Sequence, residues 1–165
     1  MPRHILLPVI RNKELLDRYL VAFFASRTAS PEALDLAKRW AYEISRTDKI
    51  VISGFHSPIE RVVLDILLAN GCSVVVALGR SLYRKIPKPL QTAYDSNRVL
   101  FVSFRDQSRP SFSNSQTRNW LTADLASEVV FAPFDNSSQL SSLHYSIAHS
   151  STPCTIINKI CTSHH

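Results

Sequence analysis

Val51-Ile52-Ser53-Gly54-Phe55-His56-Ser57-Pro58-Ile59-Glu60 is the stretch on which the fold turns. Its first half, extended back to Lys49, is a short β-branched run of strand type, and Gly54 marks the carboxyl end. The second half is a helix start. Ser57 and Glu60 form an S-x-x-E capping box, and Pro58 stands at the first helical position, where its missing N–H costs nothing. The helix that follows carries Ile59, Val62, Val63, Ile66 and Leu67 on one face, and Asn70-Gly71 ends it. A strand feeding a helix through a tight, capped turn is the repeating step of an α/β protein.

The same step recurs outward in both directions. Upstream, after an amphipathic lead-in from Asn12 to Tyr19, Leu20-Val21-Ala22-Phe23-Phe24 is a strand-length apolar run. Ser30-Pro31 then opens a helix with Ala33, Leu36, Ala37, Trp40, Ala41 and Ile44 on its stripe. Downstream, Ser73 to Leu78 contains an unbroken valine run, which argues for burial on both faces and hence a parallel sheet. A basic, proline-marked connection (Gly79 to Leu90) leads to a short helix at Gln91–Tyr94 and a strand at Val99–Ser103. The polar segment Arg105–Thr117 reads as a surface loop. A helix near Asn119–Ala126, a strand at Glu128–Ala132, a helix near Ser138–His149 and a strand at Cys154–Ile157 complete the series. The expected fold is a Rossmann-like, doubly wound α/β domain: a mostly parallel sheet with helices on both faces. One domain is expected over residues 1–165, its core running from about residue 20 to 157.

Composition narrows the function classes. Hydrophobic residues make up 45% and charged residues 19%, an ordinary globular balance. No apolar run reaches the ~18 residues of a membrane span, and the first residues lack a signal-peptide core, so a cytoplasmic protein is expected. The three cysteines, Cys72, Cys154 and Cys161, show no C-x-x-C spacing and read as buried reduced thiols rather than zinc ligands. No metal or cofactor is expected. With only Gly54, Gly71 and Gly79 available, the chain cannot form G-x-G-x-x-G, a Walker A loop or a G-x-S-x-G elbow. Catalytic candidates reduce to Glu60 and His144, which no spacing brings together, and Glu60 already has work in its capping box. The net charge of +6 suits a polyanionic partner, although the cations are scattered and dense only from Arg80 to Lys88.

In doubly wound sheets ligands bind beyond the carboxyl ends of the strands, at the switch point. Phosphate can be held there by helix N-termini, so Ser57 and the pair Ser137 and Ser138 are candidates, each doubling as a helix cap.

Read in order, these segments resemble the DprA/Smf DNA-processing family, within a wider Rossmann-like group that includes the lysine decarboxylase-like phosphoribohydrolases. Phe24-Ala25-Ser26-Arg27-Thr28-Ala29-Ser30 is similar to the family's V-G-S-R-x-x-S, and Val51 to Glu60 to V-V-S-G-L-A-R-G-I-D. Val76-Ala77-Leu78-Gly79, with Pro87 and Pro89, resembles V-L-G-x-G-L-D-x-x-Y-P. Thr117 to Ser127, around Arg118-Asn119, resembles F-P-x-R-N-R-I-I-A-G-L-S, and Ser137-Ser138-Gln139-Leu140 stands where the family has S-G-S-L. Ala25, Ser57, Pro58, Glu60 and Ser138 depart from those patterns, removing a cation and some backbone freedom at the strand ends. The phosphoribohydrolase signature P-G-G-x-G-T-x-x-E has no counterpart between Pro133 and Leu143.

The resemblance implies a cytoplasmic, non-enzymatic protein that binds single-stranded DNA, often as a homodimer. Its phosphate-binding set would be Ser26, Arg27, Gly54, Ser57, Gly79, Arg80, Arg118, Asn119, Ser137 and Ser138. Within it, Arg27, Arg80 and Arg118 would supply charge, and Ser26 and Asn119 would position phosphates or bases. A small nucleotide held by Gly54, Ser57, Ser137 and Ser138 is the second expectation, and an interaction protein with a vestigial crevice the third.

Overall fold

A computed structural model describes residues 13–79, 83, 85–103 and 112–158. Six strands, β1 (Leu20–Phe24), β2 (Ile50–Ser53), β3 (Val74–Leu78), β4 (Val99–Ser103), β5 (Glu128–Phe131) and β6 (Cys154–Ile156), form one sheet in the order β4-β3-β2-β1-β5-β6. Every neighbouring pair is parallel. Between them lie α1 (Pro31–Ile44), α2 (Pro58–Ala69), α3 (Gln91–Asp95), α4 (Phe112–Leu125) and α5 (Leu140–Ala148). The Rossmann-like expectation therefore holds, with parallel pairing throughout.

The alternation of side chains explains why the strands read as continuous apolar runs. In β1, Val21 and Phe23 face a layer built by α1, α2 and α3, whereas Leu20, Ala22 and Phe24 face α4, α5 and the 3₁₀ turn Lys13–Asp17. Both faces are covered, so no position in β1 is left to be polar. Phe23 stacks on Trp40 of α1 with ring centroids 4.8 Å apart, and Phe24 meets Phe131 of β5 at 5.4 Å.

Helix starts follow the sequence. Ser30 Oγ accepts the Ala33 N–H, and Ser57 and Glu60 make a complete capping box. Gly71 takes φ +76° just past α2, where an L side chain would be strained. At the amino ends of the strands, Lys49 Nζ lies 3.2 Å from Glu128 Oε1, and Tyr19 OH donates to the same oxygen at 3.0 Å, tying β1, β2 and β5 together.

Three expectations need correction. The segment 105–117 was expected to be loop, but α4 already runs from Phe112. Its polar opening, Ser113-Asn114-Ser115-Gln116, offers no apolar stripe to read, and the helix is held by its later turns, where Leu121 and Ala123 are buried. Arg118 and Asn119 consequently sit inside a helix and not at its start. Cys72 and Cys154 are unpaired but only half-buried, because both lie where a segment enters the sheet. Cys161 lies outside the described residues. Among the described residues, no helix is long and apolar enough to cross a membrane, and no group of His, Cys, Asp and Glu could hold a metal ion.

Candidate nucleic-acid interface

The strand order reverses between β1 and β5. There the loops that leave two neighbouring strands diverge to opposite faces and open a crevice at their carboxyl ends. A cavity of about 280 Å³ occupies this place, lined by the loop after β1 (Ala25 to Thr28), by His56, Ser57 and Glu60, by Arg118 and Asn119 of α4, and by Ser137 to Leu140. A second, more apolar hollow of about 400 Å³ lies beyond β2 and β3, walled by Gly54, Phe55, Leu78, Gly79, Tyr83 and Leu90 among others. His56 and Arg118 line both.

Glu60 organises the crevice wall. Its carboxylate is buried; Oε2 accepts the Ala25 N–H at 3.0 Å, and Oε1 accepts the N–H groups of His56 (2.8 Å) and Ser57 (3.3 Å). Ser57 Oγ in turn accepts the Glu60 N–H at 3.3 Å. Three backbone donors from two strand ends thus converge on one side chain. Burial raises the Glu60 pKa, and those N–H groups together with the nearby Arg118 guanidinium pull it back down. Phe55, at φ +50°, holds a left-handed conformation that turns the loop between β2 and α2, and its N–H bonds Ser53 Oγ at 3.0 Å. The consequence is chemical: the N–H groups that could cradle a phosphate at the start of α2 already hold a carboxylate.

Arg118 is the opposite case. It is only 5% exposed, yet among the described residues its guanidinium reaches one acceptor, Asn119 Oδ1, at 3.3 Å from Nε and 3.2 Å from Nη2. Among the described residues the ion pair within 4 Å is Lys49–Glu128, so none of their carboxylates pairs directly with Arg118. Burial lowers its pKa, Glu60 opposes that, and Arg27 adds to it. A buried cation with unused N–H donors is costly unless something anionic meets it. Gly54 makes room for it. A Cβ there would lie 2.6 Å from Cζ and 2.7 Å from Nε of Arg118. His56 keeps an exposed edge in the crevice, but loss of hydration, followed by the charges of Arg118, Arg61 and Arg27, pushes its pKa down to about 4. At neutral pH it is uncharged.

Of the residues expected to bind phosphate, the crevice unites Ser26, Arg27, Ser57, Arg118, Asn119, Ser137 and Ser138. Gly54 and Gly79 line the second hollow, and Arg80 lies outside the described residues. Their availability differs. Arg27 is exposed, whereas Ser26 Oγ accepts the Thr28 N–H at 3.2 Å and Ser138 Oγ accepts the Leu140 N–H at 3.1 Å. Ser138 is therefore a local brace at the start of α5, whose own N-cap, Gln139, makes no side-chain cap bond. Sequence reasoning did not single out His56, whose signal was its place between the strand-ending glycine and the capping serine. His144 faces Phe131 and Phe134, in a different hollow from Glu60.

These features define a class: a doubly wound α/β protein with a crevice lined by Arg27 and Arg118 at its switch point. The sequence matches the model of the DNA recombination-mediator protein A family over residues 4–150, and the chain belongs to that family. Two solved structures share its fold. DNA processing protein A from Helicobacter pylori, studied for its single-stranded DNA binding mode, superposes with a TM-score of 0.72 at 17% identity, covering 92% of this chain and 72% of that one. DNA processing protein A from Streptococcus pneumoniae gives 0.73 at 20% identity, covering 93% and 56%. The chain thus spans little more than half of the second relative. No curated protein sequence matches it.

Proposed function

We propose that this chain binds single-stranded nucleic acid non-enzymatically, one backbone phosphate entering the switch-point crevice against Arg118 and Arg27. The observation that carries the reading is the buried Arg118 guanidinium, which faces both hollows and, among the described residues, has no carboxylate within ion-pair distance. A phosphate would meet its free donors in charge-assisted hydrogen bonds. Asn119 orients the guanidinium, and Ser26, Ser137 and Ser138 complete the rim. Gly54 and Gly79 would let a strand pass toward the apolar hollow. Family membership and the net charge of +6 support the same partner.

A free nucleotide is the lesser reading. In doubly wound proteins its phosphate usually sits on the first N–H groups of a helix, and at α2 the Glu60 carboxylate occupies that place and would repel it. Glu60 is fully engaged with backbone, and His144 faces another hollow, so neither is placed to act as acid or base in the crevice. A homodimer working in the cytoplasm belongs to the same proposal.

The test is fluorescence anisotropy with a labelled oligothymidine of about 30 nucleotides at low and moderate salt. Salt-sensitive binding, weakened at least tenfold by Arg118→Ala, is expected. Absence of binding at low salt would overturn the reading, and a thermal-shift response to mononucleotides alone would favour the alternative. Light scattering of the complex would report whether two copies share one strand.

A further inference from the structure

The loop between β5 and α5 has two sides. One side, Ser137 to Leu140, faces the crevice. The other borders an open hollow of about 660 Å³ formed by Phe134, Asn136, Ser142, His144, Tyr145 and Ile156, together with Ser141. The floor of that hollow is fixed. Phe131 is wholly buried in the sheet, and the rings of Phe134 and His144 pack against it at 5.5 and 5.3 Å and against each other at 5.8 Å. Above the floor, Tyr145 is 66% exposed and lies against the His149 ring at 4.2 Å, while His149 Nδ1 is 2.8 Å from the Tyr145 carbonyl.

Scattered surface aromatics are ordinary, and Tyr19 and Tyr42 need no explanation. Tyr145 differs in company: it borders rings already held in place, so a flat ligand would order little on arrival. Asn136, Ser141 and Ser142 make the rim polar, and the exposed Asp135 stands beside it without lining the hollow. Ser141 donates to the Asn136 carbonyl at 2.7 Å, which fixes the loop that separates this hollow from the crevice. Tyr145 lies five residues along α5 from Leu140, a rise of about 7.5 Å with a net rotation of about 140°, so it stands on a different side of the helix from the crevice. Asn136 and Ser141, which border the hollow, directly flank the crevice residues Ser137 to Leu140, so the two sites share this loop.

We propose that the Phe134–His144–Tyr145 hollow is a stacking shelf for a nucleobase of the strand whose phosphate lies in the crevice. This rests on the reading of the crevice given above, and adds to it a second contact that recognises bases rather than charge. Stacking on an aromatic face tolerates any base, so the shelf would add affinity without sequence preference.

Two 12-mers separate the two contacts: oligothymidine, and an abasic deoxyribose-phosphate strand of the same length and charge. With the shelf in use, Tyr145→Ala weakens oligothymidine binding about tenfold, leaves the abasic strand unchanged, and Tyr145→Phe restores the affinity. Because Tyr145 is exposed, the variant should melt within a few degrees of the parent. Equal affinity of parent and Tyr145→Ala for oligothymidine would overturn the shelf while leaving the crevice standing. So would an equal loss for both strands, since that loss would not depend on bases. If the parent binds neither strand at low salt, the crevice reading falls and the shelf falls with it.

Discussion

At the scale of single residues, Glu60 and Arg118 are both buried and charged, and they do opposite things. Glu60 is satisfied from within, its oxygens accepting three backbone N–H groups. Glu60→Gln keeps the shape but turns an amide N–H₂ toward one of those donors. The expected cost is about 1–3 kcal/mol, read as a lowered urea midpoint with an unchanged slope. Arg118 has only Asn119 as a hydrogen-bond partner for its guanidinium among the described residues, and Gly54 packs directly against it. In Gly54→Ala the new methyl cannot share space with the guanidinium, which must swing away. Oligonucleotide affinity should then fall nearly as far as in Arg118→Ala, for a stability loss of about 1–3 kcal/mol. His56 adds a pH dependence. Its folded pKa of about 4 lies below the ordinary 6.5, so the unfolded chain binds the proton more readily. The stability linked to His56 is present above pH 6.5 and is lost as pH falls toward 4. A phosphate among the same arginines would raise that pKa, so binding should take up a proton and tighten between pH 7.5 and 5.5. Titration of His56→Asn, expected to flatten both profiles, measures this.

At the scale of elements, what could be read from the sequence was whatever is local. The capping box at Ser57–Glu60, the proline-led starts of α1 and α2 and the glycine after α2 are encoded within a few residues, and the structure has them. The strands were visible because burial on both faces leaves only apolar side chains along them. The start of α4 was hidden, because its first turns carry serine, asparagine and glutamine and its helicity depends on packing farther along. The site divides in the same way. The rule that ligands gather at strand ends placed most of the crevice residues. What Glu60 does was not legible, since the Ala25 N–H it accepts lies 35 residues away in sequence. Nor could any spacing show that Arg118 would be buried, because that depends on which loops α4 crosses.

For the whole molecule, the net charge of +6 attracts any polyanion and therefore cannot by itself locate a site. A diffuse field and a built contact differ in how they respond to salt and to mutation. Each phosphate neutralised on a single strand contributes about −0.7 to the slope of log K against log salt. With one phosphate held between Arg27 and Arg118, the crevice supplies a slope of about −0.7, and Arg118→Ala should remove most of it. Lys38, exposed on α1 and outside the crevice, provides the control. Removing its charge lowers the net charge as much as removing that of Arg118. A purely diffuse attraction would make the two variants equally weak, with equal slopes. A built crevice makes Lys38→Ala nearly silent at moderate salt, its effect confined to a slower association rate at low salt. Arg118→Ala would instead dissociate faster at every salt concentration, because the group it removes touches the bound phosphate. Association and dissociation rates of one labelled oligothymidine, followed for the parent and both variants across a salt series, decide between the two.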